Sequence, residues 1–507
     1  MRRMVLQAGC VLLSLVLGGL FYFSVDGWTL DDAFISFRYA EHFADGLGLV
    51  YNPGERVEGY STFLWVLLLS FFYRVGADTL LAAKVLGVLF SLLTLLLVLF
   101  SYRWIREITA ETSLTAAFFL GSSGIFLPWQ FSGMEVSMYS FLITLTLMVY
   151  LGQVRGRESV SACFILVLLC WLTALTRPEG LLLFAVLVGD QILLYCLPLN
   201  RRKLFSVGNT LILPFLFLYG GYILWRYSYY GFFLPNTFYA KVGWSSAQVL
   251  RGLHYIREFL IPALGLILPF IALLLVKRTM WRNGTVKILL VLLLLFLMYV
   301  IVVGGDSMPA FRFLAPVMPL LAILAAMSVT ALSLRREIIL VYVAGGICFN
   351  MIITYWDWDI HQHILSDRVA HHGREVGLWL KERVDDNTVI ATNAAGSIPY
   401  YSGLRAIDML GLNDLHIAHQ EKENMGQGSA GHEKTDGQYI LSRKPDIIQF
   451  GSSLGLVEPL LPSDHEIRAS SEFVQEYEMK TFGNLPSGKD LTLYLRRGRQ
   501  IFLSSTK

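Results

Sequence analysis

Two adjacent aspartates, Asp31 and Asp32, stand a few residues past the end of the first apolar run, in TLDDAFISFRYAEHFADGLGLVYNPGERVEGYSTFLW. A charge near hydrocarbon costs about 2.5–3.5 kcal/mol even on the lenient insertion scale, so a like-charged pair at a membrane boundary implies a use. Two carboxylates side by side near low dielectric cannot both ionise freely. One is held toward neutral pH, where it can take a proton from a hydroxyl as a general base. Thr29 offers a structural alternative, as the cap of the next helix with Asp32 as the carboxylate of a capping box. That helix is expected from about Ala33 to Ala44, ending at Gly46. Capping accounts for Asp32 and leaves Asp31 unexplained.

Other polar residues have two readings each. Glu55 and Glu58 flank Arg56 in a turn opened by Pro53 and Gly54, either a solvated loop or part of an acceptor groove. Glu135, at a membrane edge in SGMEV, is a hydrogen-bond acceptor for a sugar hydroxyl or a helix-start acid. In TRPEG, Pro178 suits the first position of a helix and Glu179 its first turn, with Arg177 closing the preceding helix. Arg312 is expected in the first turn of a helix after Pro309, against the dipole, and so needs an anion. Asp306 is one candidate, and a lipid phosphate, which the guanidinium fork matches, is the favoured one. Lys241 either snorkels to headgroups or completes a cationic pocket with Arg312. His361, His363, His371 and His372 crowd one linker, but their spacing fits no zinc motif. A divalent metal is compatible with so many carboxylates, yet no ligand set stands out. No P-loop, GxSxG, HExxH or strand-borne GxGxxG occurs.

The elements that hold these residues are mostly apolar. Of 507 residues 55% are hydrophobic and 16% charged, with mean hydropathy +0.55, which excludes an ordinary soluble domain. A net charge of +3 gives no argument for nucleic acid. The five cysteines lie in or beside apolar runs and offer no disulfide framework to the polar C-terminal third. Met1-Arg2-Arg3 and the run to about Phe23 read as an uncleaved signal-anchor with a cytoplasmic N-terminus. Further runs at 80–102, 112–127, 134–152, 160–176, 178–197, 206–229, 255–276, 285–304, 311–332 and 337–356 bring the expected spans to about eleven. The short run 61–73 is read as an interfacial or re-entrant helix. Arg103/Arg106, Arg155/Arg157, Arg201-Arg202-Lys203, Lys277-Arg278 and Arg335-Arg336 then all fall on the cytoplasmic side. The polar motifs containing Asp31, Glu135, Arg177, Asn236, Lys241, Asp306 and Arg312 share the opposite face.

From about Asp357 the composition becomes that of a soluble α/β domain. Helical spacing marks 375–384 and a short helix 394–403, strand patterns mark 388–393, 405–410, 446–450 and 491–497, and 416–437 reads as a mobile loop. The domains expected are therefore 1–356, a transmembrane part whose first outer loop is 25–79, and 357–507, extracytoplasmic.

DDAFISFRYAEHFADGLGLVYNPGERVEGYSTFLW, SGME, TRPEG, YYGFFLPNTFYAK, GGDSMPAFRFLAPVMP and YYSGLRAIDMLGLND, in that order, resemble the membrane GT-C glycosyltransferases. Within them the chain is most similar to the terminal β-1,2-arabinofuranosyltransferases and their bacterial relatives. The resemblance implies a polytopic α-helical protein of an inner cell membrane and a polyprenyl-phosphate-sugar donor, with arabinofuranose as one candidate sugar. It further implies transfer outside the cytoplasm to a glycan, lipid or protein acceptor, and a catalytic aspartate at Asp31 or Asp32. Arg312, Lys241 and Arg177 would hold the donor phosphate, and Glu55, Glu58, Glu135, Glu179, Asn236 and Asp306 the substrates. A flippase for polyprenyl-linked sugar is the alternative, but it would place ionisable residues at mid-span rather than on one face.

Overall fold

In a computed structural model, residues 2–157, 159–196, 200–243, 245–276, 282–332, 335–355, 360–423, 425–483 and 485–498 are described. The chain forms two compact units, neither of them contiguous in sequence. One comprises Met1–Gly27, Lys84–Tyr227 and Gly252–Leu365; the other comprises Trp28–Ala83, Ser228–Arg251 and Ser366–Lys507. The expected boundary at 356/357, and the basic pair Lys277-Arg278, lie outside the described residues.

The first unit is helical. Among the described residues, five helices are long and apolar enough to cross a membrane: Arg3–Ser24, Thr79–Leu99, Val136–Val154, Arg201–Tyr230 and Gly284–Val303. Ser246–Leu260 and Leu264–Leu275 make a sixth candidate only as a pair bent by 90°. The single run expected at 255–276 is thus corrected. Pro262, lying in the break, has no N–H for the helical ladder and its ring obstructs the preceding turn. Shorter apolar helices include Val160–Thr176, Gly180–Cys196, Ala315–Ala331 and Glu337–Ile353.

The run expected at 311–332 is also corrected, since its α-helix begins only at Met318. Residues 309–317 form two short 3-10 turns, with Ala310 and Phe311 at φ 54° and 53°. Pro309, Pro316 and Pro319 each withhold a donor, so a regular helix can start only after most of them.

The second unit joins the first loop to the C-terminal α/β region. Its amphipathic helix Asp31–Ala44 buries Ala33 through Ala40 and begins after Leu30, with no side-chain cap. Leu30, not Thr29, therefore stands in the cap position, and the helix starts at Asp31 rather than at about Ala33. Helix Phe63–Arg74, at 12 residues, is about 18 Å long and far short of a 30 Å hydrocarbon core.

The sheet contains β1 (Val389–Thr392), β2 (Arg405–Asp408), β3 (Ile447–Gln449), β4 (Tyr477–Phe482) and β5 (Leu491–Arg496), in the order β2-β1-β3-β5-β4. β1 runs parallel to both β2 and β3, with Ile390 opposite Ala406 and Ala391 opposite Ile448; β5 is antiparallel to β3 and β4. Ala391, Ile407, Ile448, Phe450, Phe473 and Tyr494 belong to its core. The helix Val369–Arg383 starts six residues before the expected segment. The loop after 416 is tied down rather than solvated: Glu433 is buried and its carboxylate accepts from the N–H groups of Gly426 and Gly428.

Candidate active site

Asp31 opens its helix with both carboxylate oxygens engaged. Oδ2 accepts from Gly396 N at 2.9 Å, and Oδ1 accepts from Ser397 N at 2.8 Å and Ser397 Oγ at 2.5 Å. Gly396 and Ser397 begin the short helix Ser397–Ser402 just after β1, so the carboxylate sits on donors that a helix start leaves unsatisfied. A Cβ on Gly396 would lie 1.9 Å from the Asp31 carbonyl oxygen, which is why this position has no side chain. Burial pushes the Asp31 carboxyl up to about 6. The Ser397 and Gly396 hydrogen bonds act the other way, and the charge of Asp32 adds to the rise.

Asp32 is placed differently. Its side chain is 22% exposed and lies 3.8 Å from Lys241 Nζ, at the end of the short helix Asn236–Lys241. Both aspartates are half-buried, and the pair is divided by its partners: Asp31 is held by the donors of Gly396 and Ser397, and Asp32 lies beside Lys241.

Several expected substrate residues knit the first loop to the α/β region. Asn236 donates through Nδ2 to the carbonyls of Gly411, Leu412 and Asp414 at 2.9–3.2 Å, and its N–H reaches Glu58 O. Glu58 is buried. Glu55 pairs with Arg405 and Arg443 and accepts from Asn52 at 3.0 Å. Burial raises the Glu55 carboxyl, but Asn52 and the two guanidiniums outweigh it and hold it below the usual range.

Sequence reasoning missed the largest fastener, Arg38. Its guanidinium is buried and donates to Tyr51 O at 2.7 Å, Leu404 O at 2.8 Å and Pro399 O. Tyr51 hydroxyl donates to Ala395 O at 2.6 Å, and Asn52 pairs with Ala406 through both its amide atoms. The available signal was spacing: Arg38 stands seven residues after Asp31, on the same helix face. Ser397 had no such signal.

The remaining residues gather in the helical unit at helix ends. Glu135 precedes Val136–Val149, Arg177 follows Val160–Thr176, and Glu179 precedes Gly180–Cys196. Arg177 donates from Nη1 to Glu135 at 2.7 Å and from Nε to Glu179 at 2.5 Å, with all three side chains buried. Arg312 faces Asp306 at 2.7 Å, and the Phe313 ring lies 5.1 Å from the Arg177 guanidinium and 5.3 Å from that of Arg312. Arg312 follows the turn Pro309–Phe311 instead of entering an α-helix, so the expected opposition to a helix dipole does not arise. Trp129 Nε1 pins this turn through Ala310 O at 2.9 Å. The structure thus brings together Asp31, Asp32, Glu55, Glu58, Asn236 and Lys241 in one unit, and Glu135, Arg177, Glu179, Asp306 and Arg312 in the other. Among the described residues, no group of three His, Cys, Asp or Glu side chains could hold a metal ion.

Comparison with known structures shows the fold. ArnT from Cupriavidus metallidurans bound to undecaprenyl phosphate aligns over 97% of this chain and 98% of its own, with TM-score 0.62 and 13% identity. An oligosaccharyltransferase from Archaeoglobus fulgidus, in complex with Zn and sulfate, aligns over 79% of this chain and 62% of its own, with TM-score 0.55 and 14% identity. The chain has the GT-C fold.

This GT-C chain is 28% identical over 343 residues to a terminal β-(1→2)-arabinofuranosyltransferase of Corynebacterium glutamicum. The match covers 60% of the chain, which spans about half (48%) of that relative's length. A family model described as a domain of unknown function (DUF8728) matches residues 360–494, the α/β region. The resemblance read from the motifs is therefore borne out at the level of the GT-C superfamily, and the apolar helices make this a membrane protein.

Proposed function

We propose that the protein is a membrane glycosyltransferase that moves a sugar from a polyprenyl-phosphate donor to an acceptor hydroxyl outside the cytoplasm. The observation that carries the reading is the different partners of the aspartate pair: Asp31 is held by three donors, and the half-buried Asp32 lies 3.8 Å from the Lys241 ammonium. In this mechanism Asp32 takes the proton of the acceptor hydroxyl, whose oxygen attacks the anomeric carbon. The bond from that carbon to the phosphate oxygen breaks, and polyprenyl phosphate leaves with the electron pair. A phosphate monoester is a weak base, so no acid is needed on the leaving side. Lys241 supplies positive charge, and stabilising charge as it develops is where such sites gain most of their rate. A direct displacement inverts the anomeric configuration.

Arg177 and Arg312, already engaged by carboxylates, are secondary candidates for phosphate. The arabinofuranosyltransferase likeness supports a pentofuranose as the sugar, and the ArnT likeness supports a prenyl-phosphate carrier. We assign 1–356 as the membrane catalytic part and 357–507 as an extracytoplasmic α/β domain that completes the first-loop unit, in an inner cell membrane.

The test is transfer by the purified full chain in nanodiscs from a synthetic polyprenyl-phosphate pentofuranose, read as released polyprenyl phosphate and glycosylated acceptor. Transfer that depends on Asp32 supports the reading. Transfer that persists at wild-type rate in Asp32→Asn removes the base assignment.

A further inference from the structure

The helical unit contains a cavity of about 500 Å³ among Arg157, Ser159, Arg202, Lys203, Ser206 and Thr210. Its walls are aliphatic in part, from Val160, Val207 and Leu211. No carboxylate lines it among the described residues; the neighbouring Glu158 lies outside them. The contrast with Arg155 is informative. That arginine, two residues before Arg157, is absorbed by Asp190 at 2.8 Å, while Arg157 and Arg202 line the cavity and are exposed. Lys203 is held in place: Asn200 Oδ1 accepts its backbone N–H at 3.1 Å, and its Nζ lies 5.3 Å from the Tyr195 ring.

Two π-helical turns, Tyr150–Val154 and Gly208–Ile212, contribute Val154, Thr210 and Leu211 to the lining. Such turns are uncommon, widen a helix locally, and concentrate at functional sites. The side chains therefore combine guanidinium and ammonium groups, hydroxyl donors and an aliphatic wall, which is the complement of a phosphate attached to an apolar chain.

We propose that this cavity binds a phosphate-bearing anion, namely the headgroup of an anionic membrane phospholipid. Val160, 70% exposed at its rim, offers a path for an acyl chain. The basic residues belong to the loops that the charge pattern assigns to the cytoplasmic side, where the leaflet is anionic. The site is separate from the transfer reaction and does not depend on that reading.

The test uses the full chain in nanodiscs of phosphatidylglycerol or phosphatidylcholine, with bound lipid counted by native mass spectrometry after detergent release. Wild type is expected to retain phosphatidylglycerol in preference to phosphatidylcholine. Each basic residue removed by Arg157→Gln, Arg202→Gln or Lys203→Gln should weaken that preference about fivefold. Arg106→Gln, another loop cation but not a lining residue, should leave it unchanged. Competition by millimolar inorganic phosphate identifies the headgroup phosphate as sufficient, so that a free phosphate could also occupy the site; absence of competition identifies the intact lipid. A triple variant that retains phosphatidylglycerol like wild type overturns the proposal, as does an equal loss in Arg106→Gln.

Discussion

Two neighbouring aspartates of identical chemistry are given different work by what surrounds them. Asp31 accepts three hydrogen bonds, and Asp32 keeps one face toward solvent. Asp32→Asn is accordingly expected to lose 10²–10⁴-fold in turnover, roughly the range of general-base contributions, with donor affinity unchanged. Single-turnover transfer and donor titration together check this. The three donors favour the ionised form of Asp31, so the acid limb of the pH–rate profile is expected near its value of about 6. Ser397→Ala removes a donor that favours the charged form and should move that limb upward. A residue that only packed would lower the rate without moving the limb. The stability dependence has the opposite sense. Because burial raises Asp31 and Asp408 to about 6, their contribution to stability is fully present below about pH 4 and is lost as pH rises through 6. Arg312 has a test of its own: Arg312→Ala leaves Asp306 buried without its cation, a loss of about 3–5 kcal/mol by analogy with other buried pairs. Arg312→Lys should recover much of the melting temperature. If it recovers donor affinity as well, the guanidinium fork is not reading phosphate.

The first loop and the α/β region hold each other through backbone carbonyls. Arg38 serves those of Tyr51, Pro399 and Leu404, and Asn236 those of Gly411, Leu412 and Asp414. Removing such a donor leaves buried acceptors unsatisfied at about 1–3 kcal/mol each. Arg38→Met should therefore open 28–83 to protease and lower the melting temperature far more than Arg405→Ala, whose half-exposed pair with Glu55 is worth at most about 1 kcal/mol. Gly396→Ala should resemble Arg38→Met, because its methyl would force Asp31 off its donors. In open α/β sheets, ligands usually meet the carboxyl ends of parallel strands. Here Asp31 meets the segment leaving the carboxyl end of β1. Much of this was legible in sequence: β1, β2, β3 and β5 follow apolar β-branched runs. β4 was not, because Tyr477–Phe482 pairs with β5 at the edge and buries only its first residue. The long-range carbonyl contacts were illegible for a similar reason, since their acceptors are main chain and leave no residue pattern. Periodicity likewise could not reveal the turn before Arg312, where three prolines divide an otherwise continuous apolar run.

The whole molecule carries two polar clusters with different balances. In the helical unit, Arg177 and Arg312 face Glu135, Glu179 and Asp306, two cations against three carboxylates. In the other unit, the half-buried Asp32 meets Lys241. The transfer reading requires the aspartates to lie outside the cytoplasm, and that depends on how many helices cross. Among the described residues, five helices qualify by length and composition, and the bent pair adds one candidate. Several shorter helices of 10–17 residues must then cross, aided by tilt or extra turns, if the count is to reach about eleven. Charge decides between the counts more sharply than length does. With Phe63–Arg74 lying at the interface, every basic loop from Arg103 to Arg335 falls on one side; if that helix crosses, they all invert. Reporter fusions after residue 202, beside the basic cavity, and after residue 420, in the α/β region, separate the cases. The expected result is a cytoplasmic signal at 202 and an extracytoplasmic one at 420. Both signals on one side would end the eleven-span count. An inverted pair would put Asp32 in the cytoplasm, where a polyprenyl-phosphate donor would have to be used before it is translocated, and the transfer reading would fail with it.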